Sequence, residues 1–404
     1  MSVGQKPFPK ISDFLVIFVA ANLKPFFMKP ETERLAWIDL LRVAACFMVV
    51  FSHCCDPFVA QFDADRASFL TGTFLGSLVR PCVPLFVMMT GVLLLPTGMS
   101  AGEFYRRRIG RIAIPLVFWS VALPLMFFLY FGVLHPYTAN PAVDVANHTW
   151  AATFPKLWTF IFNFTFDTTP LWYLYMLVGL YLIMPVLSSW LEHAEKRDIR
   201  TFLIVWGISL FLPYVQLLAP SAGYAGNYGN MGIYGVCDWN VYGMFYYVSG
   251  FVGYVVLAYY LQKYPSGRSR RRTFATAVPV FAAGYLITAF GYVFLQSLFP
   301  GNYAYLEIIW YFTGINVFMM TVPMFAVAVK SKIRPRAWLK KLADASFGIY
   351  LCHFIFVEIA YDVFDIAALP YAVRIVCMAV TAFAVSFLLV RILSSAKITR
   401  RLVA

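Results

Sequence analysis

The chain has 404 residues, of which 61% are hydrophobic, 19% aromatic and 13% charged, and its mean hydropathy is +0.73. A soluble domain is about 45–50% apolar and about 25% charged, so this sequence cannot cover a water-soluble body, and its 40 Phe, 25 Tyr and 10 Trp exclude low-complexity disorder. What remains is a polytopic membrane protein whose net charge of +13 marks either nucleic-acid binding or cytoplasmic loops.

Along the chain, residues 1–33 read as a cytoplasmic segment. Its short apolar run 14–23 follows Lys6 and Lys10 and is interrupted at Lys24-Pro25, which suits an interfacial stretch better than a signal peptide. A spanning helix needs about 20 mostly apolar residues. Such stretches occur at 36–55, 72–95, 109–134, 170–190, 201–219, 239–262, 275–298, 305–329, 345–361 and 370–394. They are continuous apolar runs without period-two alternation, so the expected fold is all-α, with about ten transmembrane helices and no β-barrel. The transmembrane domain covers 34–396, and 397–404 form a cytoplasmic tail. The longest outer loop is 135–169; a second, 220–238, is rich in Gly and Tyr.

The basic residues decide the meaning of the charge. Of 32 Lys and Arg, 26 fall in the terminal segments or on alternate connections, including Arg106–Arg108, Arg111, Lys196, Arg270–Arg272, Lys340 and Lys341. The intervening loops hold only Arg66 and Lys156, with Arg374 near a boundary. This places both termini in the cytoplasm of a multi-pass protein. It also replaces nucleic acid with anionic membrane lipids as the partner of the basic loops. The seven cysteines show no metal-ligand spacing and read as packing residues, with a disulfide open to Cys54, Cys55 and Cys237 near the outer face. No metal is expected.

Ionisable groups inside a span cost several kcal/mol and are functional candidates by default. The first span carries Asp39, Arg42 and His53. Arg42 and His53 are eleven residues apart, about three turns, so they share a face about 16 Å apart along the axis. Asp39 and Cys46 lie on the same stripe. A planar guanidinium suits phosphate, and a neutral imidazole suits base or nucleophilic catalysis. An acyl donor with a phosphorylated handle would meet Arg42 first and His53 at its reactive end. Arg80 is a second intramembrane cation, four residues before Pro84. Glu307, Asp238 and Glu358 are further carboxylates near spans.

The Arg42-x10-His53 arrangement after Trp37-Ile38-Asp39 resembles the signature of the acyltransferase family 3 membrane proteins. Several segments match that family in order. Pro84-Leu-Phe-Val-Met-Met-Thr90-Gly91 resembles its second-span stretch, with Thr in place of the usual Ser. Tyr105-Arg-Arg-Arg108-Ile-Gly-Arg111 resembles its arginine-rich third-span entry. Leu171-Trp172-Tyr173-Leu174 and Ser346-Phe-Gly348-Ile-Tyr350-Leu-Cys-His353 are similar to later motifs, and the likeness covers about 33–395.

The resemblance implies a bacterial inner-membrane O-acyltransferase. It would take an acyl group, most often acetyl, from cytoplasmic acetyl-CoA or another acyl-CoA. The acceptor would be a hydroxyl of a surface glycan or exopolysaccharide, or of its lipid-linked saccharide precursor. His53 would be the catalytic centre, as general base or acyl carrier, with Asp39 orienting Arg42. Arg42, Arg80, Arg108 and Arg111 would hold the donor. Trp172, Tyr173, Tyr350 and His353 would line the channel or bind the sugar. A transporter or flippase for a lipid-linked sugar or small anion is the alternative, in which Arg, Asp and His form a substrate or proton path.

Overall fold

The computed structural model describes residues 35–223, 242–301, 308–366 and 368–403. The segment 1–33, most of the 220–238 loop, Cys237, Asp238 and Glu307 lie outside the described residues. In lipid every backbone polar group needs an internal partner, so long apolar runs become helices. Among the described residues there is no strand, and nine helical runs are long and apolar enough to cross a membrane.

The first run is α1 (Ala36–Val59). The second is broken into α2 (Arg66–Leu78) and α3 (Cys82–Leu94). Then come α4 (Ala101–Phe127), extended by a π-helical stretch Phe128–Leu134, α5 (Trp150–Thr159), α6 (Trp172–His193), α7 (Lys196–Ser209) and α8 (Leu212–Leu218). The remainder is α9 (Val252–Lys263), α10 (Arg270–Leu298), α11 (Ile315–Val329), α12 (Ala337–Val363), α13 (Tyr371–Ser395) and the short α14 (Lys397–Arg400). The sixth expected span, 239–262, contains in its described part a 3-10 turn at Gly243–Phe245 and the 12-residue α9. Gly243 and Gly250 precede it at φ +51° and +74°, outside the helical region, and interrupt the run. α9 is nonetheless central: Tyr254, Val255 and Val256 are fully buried.

Burial separates centre from periphery. The apolar stretches of α1, α2–α3 and α12 are 61%, 67% and 72% buried, against 28% for α10. Polar side chains therefore gather on the first group, where protein and not lipid surrounds them.

Two spans are unwound at the same place. α2 ends at Leu78 and α3 begins at Cys82, because Pro81 and Pro84 lack the N–H groups that a continuous helix would use. The span before α11 is unwound at Tyr311–Gly314. The carbonyls released there find donors. Arg80 Nε and Nη2 donate to Trp310 O at 3.2 and 3.0 Å, and the Tyr254 hydroxyl donates to Phe312 O at 3.0 Å. Trp310 Nε1 donates in return to Ser77 Oγ at 2.9 Å. Each break thus supplies what the other lacks.

The 135–169 loop is folded, with a 3-10 turn at Val145–His148, helix α5, and a 3-10 turn at Phe166–Leu171 that leads into α6. The described cysteines, Cys46, Cys54, Cys55, Cys82, Cys352 and Cys377, are all free thiols.

Candidate active site

Helix α1 carries two cavities on one side, and its own register orders them. The first, about 470 Å³, is lined by Arg42, Arg108, Arg111, Asp344, Thr90 and Tyr181 among others. The second, about 580 Å³, is lined by Ser52, His53, Asp56, Arg80, Trp172 and Trp310 among others. Position on four helices places the cavities at opposite ends of the bundle. Along α1 residue 42 faces the first and residues 49–59 the second. On the antiparallel return, residues 80–83 face the second and 86–94 the first. In α6 and α12 the changeover falls at Tyr173 and Tyr350, which line both cavities.

The first cavity is cationic. It brings three guanidinium groups to one space with one carboxylate, Asp344. Arg108 Nε is buried without a hydrogen-bond partner, so a donor remains for an incoming acceptor. Planar, permanently charged groups of this kind suit phosphate oxygens. Arg106 and Arg107 are exposed and line neither cavity; Arg107 pairs with Glu103 at 2.7 Å. The entry to α4 thus divides into two arginines that line the cavity, half-buried Arg108 and exposed Arg111, and two that do not.

The second cavity holds the imidazole. His53 Nδ1 lies 2.9 Å from Asp56 Oδ2, one turn further along α1. A carboxylate only accepts, so Nδ1 carries the hydrogen of this bond, and in the neutral imidazole Nε2 is then the nitrogen with the lone pair. The His53 ring is held between the rings of His353 at 5.4 Å and Phe354 at 5.2 Å. This fixes both the tautomer and the ring plane of a base whose side chain is 17% exposed. Aromatic groups line the same space. Trp172 stacks on Phe312 at 5.6 Å, and the Arg80 guanidinium lies over Phe312 at 4.4 Å and Trp310 at 4.8 Å.

Several expected site residues stand elsewhere than the sequence suggested. Arg80 lines the His53 cavity and not the arginine cavity. The break at Pro81 turns it there, with Nη1 3.4 Å from Ser52 Oγ. Asp39 is buried and lines neither cavity; fourteen residues from His53, it stands about 21 Å away along the axis. His353 is fully buried behind His53, with Nδ1 donating to Tyr350 O at 2.7 Å, and reaches neither cavity. Glu358, also buried, accepts from Asn140 of the long loop.

Sequence reasoning passed over Asp56, Asp344, Trp310 and Phe312. Only Asp56 had a local signal, its i,i+3 spacing from His53 on one helix. The other three reach the cavities by long-range packing.

Comparison with known families gives one result. A family model described as an acyltransferase domain matches residues 35–391, nearly the whole chain. No curated protein and no solved structure matches it.

Proposed function

We propose, on the premise that the chain belongs to this acyltransferase family, that it is a multi-pass O-acyltransferase of a bacterial inner membrane. It moves an acetyl group from acetyl-CoA to a hydroxyl of an exported or surface glycan, or of a lipid-linked precursor. The observation that carries this reading is the pair of cavities on α1. One holds Arg42, Arg108 and Arg111, the other the His53–Asp56 pair, and they meet end to end.

The arginine cavity opens at the end where α4 and α12 begin. That end also carries Arg106, Arg107, Lys340 and Lys341, which by the charge bias is the cytoplasmic one. The phosphates of the donor sit there, and the thioester points along α1 towards His53. The acceptor hydroxyl approaches from the other cavity, its sugar ring against Trp172, Phe312 and Trp310. His53 Nε2 takes the hydroxyl proton as the oxygen attacks the thioester carbonyl. The new C–O bond forms, the C–S bond breaks, and the proton passes from Nε2 to the thiolate, releasing the free thiol. Asp56 holds the imidazole in the tautomer that this step requires and stabilises the imidazolium. Base catalysis supplies about 10²–10⁴-fold, and positioning of the thioester supplies the rest.

The test is transfer of labelled acetyl from acetyl-CoA to glycan in membranes carrying the protein. His53→Ala is expected to lower transfer at least about 10²-fold at unchanged expression; retained transfer refutes the role of His53. Arg42→Ala is expected to raise the donor KM more than it lowers kcat. Acid quenching without acceptor should leave no label on the protein, and a stable labelled histidine would replace the base with an acyl carrier. The two broken spans also suit a transporter of lipid-linked saccharide. That reading requires movement of the saccharide across vesicles in the absence of any acyl-CoA.

A further inference from the structure

The two cavities share two lining residues, Tyr173 and Tyr350. Their rings meet edge to face, with centroids 5.6 Å apart and an interplanar angle of 68°. Both are buried, at 8% and 6% exposure. Each is held from a different side. The Tyr350 hydroxyl donates to Pro170 O, in the 3-10 turn that ends the long loop. The Tyr173 ring lies against Phe86 on α3, with centroids 6.1 Å apart. Arg42 lies on one side of this pair and His53 on the other, about 16 Å apart on α1.

We propose that Tyr173 and Tyr350 form an aromatic partition between the donor and acceptor cavities, and that it sets which acyl groups reach His53. This deepens the acyltransferase reading and rests on it. Rings in contact leave no passage, so the pantetheine arm enters only when one ring turns and a hydroxyl leaves its partner. Pro170 O then accepts from an amide N–H of the arm, and the freed Tyr350 hydroxyl donates to an amide carbonyl of it. The opening is therefore shaped to a chain one carbon wide. An unbranched acyl group is no wider than the arm and follows it through. A branched or aromatic acyl group is wider and is held back. The partition selects by cross-section, and length is left to the space beside His53. When no donor is present the closed rings separate the two ends of the bundle, which would otherwise form a water path across the membrane.

The experiment uses the full chain purified into phospholipid vesicles. The first readout is the ratio of kcat/KM for isobutyryl-CoA to that for acetyl-CoA. One extra methylene in a tight site is worth about 10–200-fold. Tyr173→Ala and Tyr350→Ala are therefore expected to raise the ratio by about 10-fold or more. Tyr173→Phe and Tyr350→Phe keep the rings and should keep the ratio near the wild-type value. The second readout is proton flux into vesicles loaded with a pH-sensitive dye, which needs no acyl transfer. The double Ala variant is expected to leak and the double Phe variant to stay tight. An unchanged donor ratio in folded Ala variants overturns the proposal. If the wild type transfers no acyl group, the functional reading fails, and the flux then decides the partition alone: a tight, folded double Ala variant overturns it.

Discussion

At the scale of single residues, the centre of the site is one hydrogen bond within one helical turn. Asp56 accepts from His53 Nδ1, so the proton position of the imidazole depends on a carboxylate. Asp56→Asn presents an amide that can donate as well as accept, and allows the wrong tautomer. We expect transfer to fall by about two orders of magnitude or more, with donor KM little changed. An unaffected kcat would show that the tautomer is fixed elsewhere. The sequence made His53 visible through its phase with Arg42, and of the acids on that helix it singled out Asp39, beside Arg42, and not Asp56. Helical phase cannot rank two acids on one helix by depth. Asp39 stands at the far end of α1, and only the cavity wall distinguishes the two.

His148 offers a residue-scale test outside the spans. Its ring is buried, stacked 5.2 Å from Phe127 and close to Phe131. Burial first, and the Lys156 charge second, push its pKa down from 6.5 to about 4, against an upward pull from Asp144. Lys156 bonds the Asp167 carboxylate at 2.7 Å, while His148 Nδ1 approaches the other Asp167 oxygen at 3.3 Å. The unfolded chain protonates this imidazole near pH 6.5 and the folded chain only near 4. Between those values the unfolded state binds more protons, so stability rises with pH there. The contribution is full above about pH 6.5 and is lost as pH falls towards 4. Thermal unfolding in detergent should show Tm falling from pH 7 to pH 5, with a shallower slope in His148→Gln. Identical slopes would assign the loss to other groups.

At the scale of elements, the arrangement depends on how closely α3 and α9 approach. A Cβ on Gly91 would lie 2.6 Å from Val255 O and 3.0 Å from its Cα. Those are backbone atoms of a fully buried residue, so no side chain can turn away to make room. Gly91→Ala is expected to cost about 1–3 kcal/mol of stability. Gly102→Ala, where nothing lies within 4 Å, should be neutral. Equal Tm values for the two variants would show that the helices can separate freely. The same packing explains why Gly91 stood out in the sequence only as part of a motif: a glycine in an apolar run does not reveal its neighbour. The surroundings of Arg80 are set at the element scale too. The sequence showed it only as an intramembrane cation four residues before Pro84, whereas Pro81 and Pro84 unwind the turn and Arg80 donates to the carbonyl of Trp310. The prolines were legible, but the second break that receives the arginine lies 230 residues away.

At the scale of the whole molecule, apolar runs and basic loops are long-period signals, and they carried the all-α spanning architecture well. The exception was the stretch 239–262. Composition suggested a full crossing, while positive φ at Gly243 and Gly250 leaves a 12-residue helix among its described residues. The motifs marked Tyr173 and Tyr350 as channel-lining residues, but their contact had no signal, because they are distant in sequence and meet only once α6 and α12 are packed. An orientation in the membrane can be proposed by joining the charge bias to the cavities. On the proposed reading the donor is a cytoplasmic acyl-CoA, so the arginine cavity would open to the cytoplasm, and the charge bias at the ends of α4 and α12, which carry Arg106, Arg107, Lys340 and Lys341, supports that orientation. Cysteine labelling with an impermeant reagent in intact cells should then modify a cysteine placed at Asn163, in the exposed part of the long loop. One placed at Arg271, beside the start of α10, should react only after the membrane is opened. The reverse pattern would put the arginines on the side that lacks acetyl-CoA. It would remove the donor role of that cavity while leaving the fold intact.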